Sequence, residues 1–258
     1  MPISLSAVIL TKNENKNIEK CIKSADFCSE IIVIDDYSTD KTLETVHKIN
    51  NTYKVYQRKL NANFAGQRNF GLEKAQGEWI LFVDADEIIT SELKSEILAV
   101  LANQDVQSDA FYVRRRDYWW DTELKYGETR KVRNKGIIRL VRRKSGKWMG
   151  NVHEIFHTAK KTGTLNSFLN HYPHPTIKEF IRDINLYSTL RSRELFNQGQ
   201  SSNVIQFVFY PFFKFILVYF VYLGFLDGPA GFAYAFLMSF HSFLVRTKLY
   251  QYRLKSEA

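Results

Sequence analysis

The feature that most constrains this chain is the way its apolar runs stop. Trp79 to Val83 is unbroken apolar sequence, and it gives way to Asp84, Asp86 and Glu87. Glu30 to Ile34 is a β-branched run that ends in Asp35 and Asp36, and Ser6 to Leu10 leads into Thr11, Lys12, Asn13 and Glu14. Short runs of this composition read as strands buried on both faces. Unpaired charge is costly to bury, so the acids that end them belong at a rim meeting water, a cation or both.

Between these runs the apolar spacing becomes helical. Ile18, Cys21, Ile22 and Ala25 share one face of a helix over Asn17 to Phe27. Ser38, Thr39 and Asp40 supply capping groups ahead of Leu43, Val46 and Ile49. Val55 to Gln57 reads as a strand, Phe64 to Ala75 as a helix closed by Gly77, and Ser91 to Ala102 as a further helix. Repeated strand–helix units imply an α/β fold with a mostly parallel, Rossmann-like sheet and helices on both faces. Open sheets of this kind bind ligands beyond the carboxyl ends of their strands. The three polar strand ends fall there together.

Alternation along a strand sends side chains i and i+2 to one face, so Asp84 and Asp86 are expected to point together. Two carboxylates with room for water and phosphate suit Mg²⁺ or Mn²⁺, and a nucleoside diphosphate would complete the shell. The alternative is a pair of capping acids ahead of the Ser91 helix.

The rest of the chain changes character twice. Ala110 to Val113 and Gly136 to Val141 read as strands around a basic, aromatic stretch with Tyr118, Trp119 and Trp120. Of the net charge of +9, most of the excess lies between Arg114 and Lys147, which suits nucleic acid, anionic lipid or a phosphorylated substrate. Thr176 to Asn197 reads as a long helix. From Val204 the chain becomes apolar and aromatic, and a boundary is expected near Gly199 to Asn203. Phe207 to Leu226 approaches the length needed to span a bilayer but is interrupted by Pro211 and Lys214. Phe232 to Val245 is too short, and Asp227-Gly228-Pro229 joins the two as a turn. An interfacial hairpin is expected, aided by Arg246, Lys248, Arg253 and Lys255; the alternative is a helical pair packed on protein. The two cysteines, Cys21 and Cys28, form no metal or disulfide framework. The N-terminus reads as a first strand, not a signal peptide, so a cytoplasmic location is expected.

Four segments in order carry a resemblance: SAVILTKNE from Ser6, VIDDYSTDKT from Val33, AGQRNFG from Ala65 and FVDADE from Phe82. Together, over roughly the first ninety residues, they resemble family 2 glycosyltransferases of the GT-A fold. Trp148-x-Gly-x-Val-His-Glu154, His171-Tyr172, Asn185-x-Tyr-Ser188 and Gly224-Phe-Leu-Asp-Gly228 are similar to the branch of WaaE/LgtF-type lipopolysaccharide-core β-1,4-glucosyltransferases. The resemblance implies a catalytic domain over 1–199, with a nucleotide-sugar half (1–103) and an acceptor half (104–199), followed by a helical membrane-associating region over 200–258.

It also implies roles. Thr11, Asn13 and Glu14 line the nucleotide pocket, and Asp35 or Asp36 bonds the uracil ring. Arg68 lies near the donor sugar or diphosphate. Asp84 contacts ribose or metal-bound water, and Asp86 ligates Mg²⁺ or Mn²⁺ under the diphosphate. The implied reaction inverts the anomeric centre in one displacement and needs a carboxylate base. Glu154 is the choice, Glu87 the runner-up, and an ion pair with a neighbouring Arg the alternative role for Glu154. His153 and His171 are candidates to complete the metal shell or orient the base, and His171 is carried as a ligand. The implied partners are a UDP-sugar donor, with glucose as the expected hexose, an anionic glycolipid or saccharide acceptor such as lipopolysaccharide inner core, and the inner face of the cytoplasmic membrane. Polyprenyl-phosphate-linked acceptors fit the same charge.

Other classes fit less of the sequence. A nucleic-acid-binding module accounts for the basic stretch but not for acids on a shared rim, which phosphates repel; nucleic acid is not an expected partner. A nucleotidyltransferase calls for a Gly-rich phosphate loop, and TKNENKN is not one. A membrane scaffold explains only the residues after Val204.

Overall fold

The computed structural model describes residues 4–103, 105–150, 154–173 and 176–257. The chain divides into two compact units, Met1–Arg116 with Val132–His171, and Asp117–Lys131 with Tyr172–Ala258. Composition placed a boundary near Gly199 to Asn203. The long helix before that point instead groups with the apolar C-terminal region, as does the stretch from Asp117 to Lys131.

The first unit begins as the apolar runs require. Strands β1 (Leu5–Thr11), β2 (Glu30–Asp35), β3 (Lys54–Gln57) and β4 (Trp79–Asp84) alternate with helices α1 (Ile18–Ser24), α2 (Thr42–Ile49) and α3 (Phe64–Lys74). Then come β5 (Glu87–Ile89), α4 (Ser91–Ala102) and β6 (Ala110–Trp119), the last running on into the second unit, where β7 (Thr122–Leu124) pairs with its end. Helix α5 (Arg130–Lys135) leads into β8 (Ile137–Arg142), β9 (Gly146–Met149), β10 (Ile155–Thr158) and β11 (Thr162–His171).

The sheet runs β3-β2-β1-β4-β8-β6-β11-β5. The first four strands pair in parallel and are joined through helices. Beyond β4 antiparallel pairs enter: β8 lies antiparallel to both β4 and β6, and β11 antiparallel to β5. Both faces of the central strands are buried, so alternate residues serve two cores. Ala7, Ile9, Val33, Leu81 and Val83 face α1 and α4, while Val8, Ile32, Ile34, Ile80 and Phe82 face the side of α3. Helix α3 lies close on the sheet at Gly71, where an added Cβ would sit 2.4 Å from Val8 Cγ1.

The second unit is helical apart from the β6–β7 hairpin. Helix α6 (Ile177–Asn197) opens on a capping box of Thr176 and Glu179. Helix α7 (Val204–Ile216) starts at an Asn203 cap, passes through Pro211 and continues as a π-helical turn over Leu217–Val221. A 3₁₀ turn, Gly224–Asp227, leads into α8 (Gly228–Glu257). Trp119, Leu124, Phe180, Ile184, Ala230 and Leu237 form this unit's main core.

The structure corrects the short second run. Helix α8 has 30 residues, not the stretch from Phe232 to Val245 alone. Its apolar composition ends there, but Lys248 extends it by donating to Asn185 Oδ1, Ser188 Oγ and Thr189 Oγ1 of α6 at 2.7–2.8 Å. Val204–Val221 and Gly224–Lys255 are both long and apolar enough to cross a membrane by length and composition. Arg246 lies over the Tyr210 ring at 3.8 Å.

Candidate active site

Strand register brings the polar ends level. Thr11 pairs with Asp35, and Leu10 with Asp84. The Asp36 N–H donates to the Thr11 carbonyl at 2.9 Å, and the Ala85 N–H to that of Leu10 at 3.0 Å. Thr11, Asp35, Asp36 and Asp84 therefore share one rim of the first unit.

Several residues predicted for the nucleotide pocket also build that rim. Asn13 adopts a left-handed backbone (φ 56°), and its Oδ1 accepts the Thr39 N–H at 2.7 Å, joining the loops after β1 and β2. The Glu14 carbonyl accepts the first amides of α1, and its carboxylate accepts Asn17 Nδ2 at 2.7 Å. Asp35 is fully buried and accepts from Ser38 and from Gln57 Nε2. Asp36 holds Lys12 Nζ at 2.6 Å and accepts the Leu60 N–H at 2.9 Å.

The acids after β4 meet different partners. The strand ends at Asp84 and the chain turns at Ala85 and Asp86, so two-residue alternation stops. Asp84 faces two arginines, with Arg139 Nη2 at 2.6 Å and Arg68 Nη2 at 3.1 Å. Asp86 faces His171, whose Nε2 lies 3.2 Å from Oδ2. Glu87, fully buried, accepts Arg139 Nη2 at 2.6 Å and the Asp84 N–H at 2.9 Å, with Arg115 Nη1 at 3.6 Å. Those contacts make Glu87 a brace for Asp84, not an exposed base.

Glu154 arrives from the β9–β10 hairpin. Asn69 pins that hairpin to α3 by accepting the Trp148 N–H at 2.8 Å and donating to the Trp148 carbonyl at 2.9 Å. One residue earlier, Arg68 donates from Nε to Glu154 Oε1 at 2.8 Å. The Arg68 guanidinium also lies 5.1 Å from the Trp148 ring centre, a contact that favours a buried cation. The ion pair weighed as an alternative for Glu154 is thus present. His153 lies outside the described residues.

Burial alone would raise the Asp84 pKa, but Arg139 and Arg68 outweigh it and hold the carboxyl well below the usual range. Burial acts likewise on Asp86, and His171 outweighs it in the same direction. Among the described residues no group of three or more His, Cys, Asp or Glu side chains is set to hold a metal ion. Asp86 and His171 offer two donors, and a diphosphate would have to supply others. The buried donor atoms in this region with no hydrogen-bond partner among the described residues include Thr11 Oγ1, Arg68 Nη1 and Arg139 Nε. Orphaned donors of that kind suit phosphate oxygens.

Residues 6–158 match the sequence model of the family described as "Glycosyl transferase family 2". The chain belongs to glycosyl transferase family 2. It is 30% identical, over 96% of its length and 93% of the relative's, to the "Lipopolysaccharide core biosynthesis glycosyltransferase LpsC" of Rhizobium meliloti (strain 1021). An "Uncharacterized glycosyltransferase" of Rickettsia bellii (strain RML369-C) is 28% identical over 97% of this chain and 87% of that one. Among solved structures, S. aureus TarS 1-349 in complex with UDP-GlcNAc is 16% identical with a TM-score of 0.49, covering 98% of this chain and 92% of that one. As a family 2 glycosyltransferase, the chain is an enzyme, and its α/β sheet with flanking helices is the architecture expected of it.

Sequence reasoning missed two features of this site. Asn69 stood inside the AGQRNFG segment with no role attached, although it places the Glu154 hairpin. Arg139 is the central cation, and only the pairing of β8 with β4 brings it to Asp84.

Proposed function

We propose that this family 2 glycosyltransferase moves a hexose, glucose in the first instance, from a UDP-sugar to an anionic glycolipid of the cell envelope, inverting the anomeric centre. The observation that carries this reading is Arg68, which joins Glu154 to Asp84 at the sheet rim. A base and a phosphate-binding arginine are what a single displacement needs side by side.

In this reading Glu154 takes the proton from the acceptor hydroxyl as its oxygen forms a bond to C1. The C1–O bond to the diphosphate breaks, and its electron pair leaves with UDP. Arg68 and Arg139 offer their remaining donors to the diphosphate, and Asp35 or Asp36 receives the uracil. Asp86 and His171 would hold Mg²⁺ or Mn²⁺, which when bound offsets charge on the leaving group.

The lipopolysaccharide-core role carried by the Rhizobium relative's name supports a glycolipid acceptor here. The two apolar helices support a place on the inner face of the cytoplasmic membrane. Proton NMR of the product made from an α-linked UDP-sugar tests the displacement: a β-glycoside is expected, and an α-glycoside contradicts it.

A further inference from the structure

The apolar hairpin of the second unit is clasped at its turn by a polar segment from far earlier in the chain. Asp227, 8% exposed, accepts the backbone N–H groups of Lys125 and Tyr126 at 3.0 and 2.9 Å. The Gly127 N–H donates to the Tyr222 carbonyl at 2.9 Å. Gly127 has a φ of 64°, a conformation that glycine adopts without strain. Lys214, the one charge within α7, reaches back to Glu128 Oε1 at 2.8 Å. Four links between two stretches about a hundred residues apart fix the segment to the turn.

That clasp sorts the charges. Glu128 is matched by Lys214, leaving Lys125, Arg130 and Lys131 exposed on the segment. The exposed acid between Asp117 and Lys131 is Asp121, on the turn before β7. The hairpin turn itself exposes Phe220, Val221, Phe225 and Leu226. Exposed aromatic and aliphatic side chains with cations fixed beside them match the two layers of an anionic bilayer surface, acyl chains below and phosphates above. A second copy of this chain fits worse, because a two-fold contact would set the same cations against each other.

We propose that Lys125, Arg130 and Lys131 form a headgroup-binding strip for anionic lipid, held at the level of the hairpin turn by Asp227. The inference rests on the membrane reading above and adds the lipid class to it. It also gives the buried carboxylate of Asp227 a purpose that a simple loop turn does not require.

The test is vesicle flotation of the purified full chain, on neutral phosphatidylcholine and on phosphatidylcholine with phosphatidylglycerol. The wild type should bind both and prefer the anionic vesicles, with the preference falling as salt rises. The triple variant Lys125→Glu, Arg130→Glu, Lys131→Glu should bind neutral vesicles as before and lose the anionic preference, a change on the order of a hundredfold for three cations near the surface. Its melting temperature should match wild type, since all three side chains are exposed. A triple variant that keeps the wild-type preference overturns the strip. So does equal binding of wild type to both vesicles, which leaves the hairpin anchor standing. Binding to neither, with the chain self-associated, overturns the anchor and the strip together.

Discussion

Arg68 Nε lies 2.8 Å from Glu154 Oε1, although the two residues are 86 positions apart. The same guanidinium reaches Asp84 through Nη2. With its side chain 5% exposed, it holds two carboxylates with one rigid, planar fork. Arg68→Met leaves both acids facing a place where a cation stood. It should destabilise the protein by about 3–5 kcal/mol, the scale for removing one partner of a buried ion pair. Arg68→Lys should recover part of that stability but little activity, because an ammonium cannot serve both carboxylates with fork geometry. Urea unfolding and initial rates on the same preparations check both statements.

Glu154→Gln separates the base from the brace. The amide oxygen still accepts the Arg68 Nε–H, so folding and UDP affinity should change little. Turnover should fall by about 10² or more, the usual scale for loss of a general base. Near-wild-type turnover would move the proton to another group.

Low pH should loosen the site through Asp84 and Asp86. Both carboxyls are held below their ordinary values in the folded state. Their ionised forms therefore stabilise the fold above the unfolded carboxyl range, near pH 4, and that stabilisation is lost as pH falls through the lower, folded values. Asp84→Asn removes the charge and leaves a single acceptor oxygen toward Arg139 and Arg68. Its unfolding free energy should fall less than wild type's between about pH 6 and about pH 3. Identical slopes would show that Asp84 is not held low.

Asp86 and His171 make a separate prediction for metal. Asp86→Ala should abolish the gain in UDP affinity that Mn²⁺ gives, and His171→Ala should weaken it. Asp84→Ala should do less to the metal effect, since Asp84 faces Arg139 and Arg68. Calorimetry of UDP binding with and without Mn²⁺ reads all three, and full activity in EDTA contradicts the assignment.

The parallel half of the sheet was legible because each strand is an apolar run with a polar stop, and these signals are local. The arginine lattice was not. Arg139 meets Asp84 because Leu81 pairs with Leu140 across β4 and β8, and no local pattern says which later strand will dock beside β4. Alternation does not carry through to Asp86, because the strand ends two residues before it. Apolar composition misled at α8 for the opposite reason: the helix outlasts its apolar run, held by a lysine threaded among hydroxyls of α6.

The most direct test of the account is a nucleotide-release assay of the full chain against a panel of UDP-sugars, with a glycolipid acceptor, with and without Mn²⁺, run beside Glu154→Gln. The account predicts acceptor-dependent UDP release with one donor, UDP-glucose in the first instance, stimulated by Mn²⁺ and reduced by about 10² or more in the variant. No acceptor-dependent UDP release from any donor, or equal release by the variant, would contradict it.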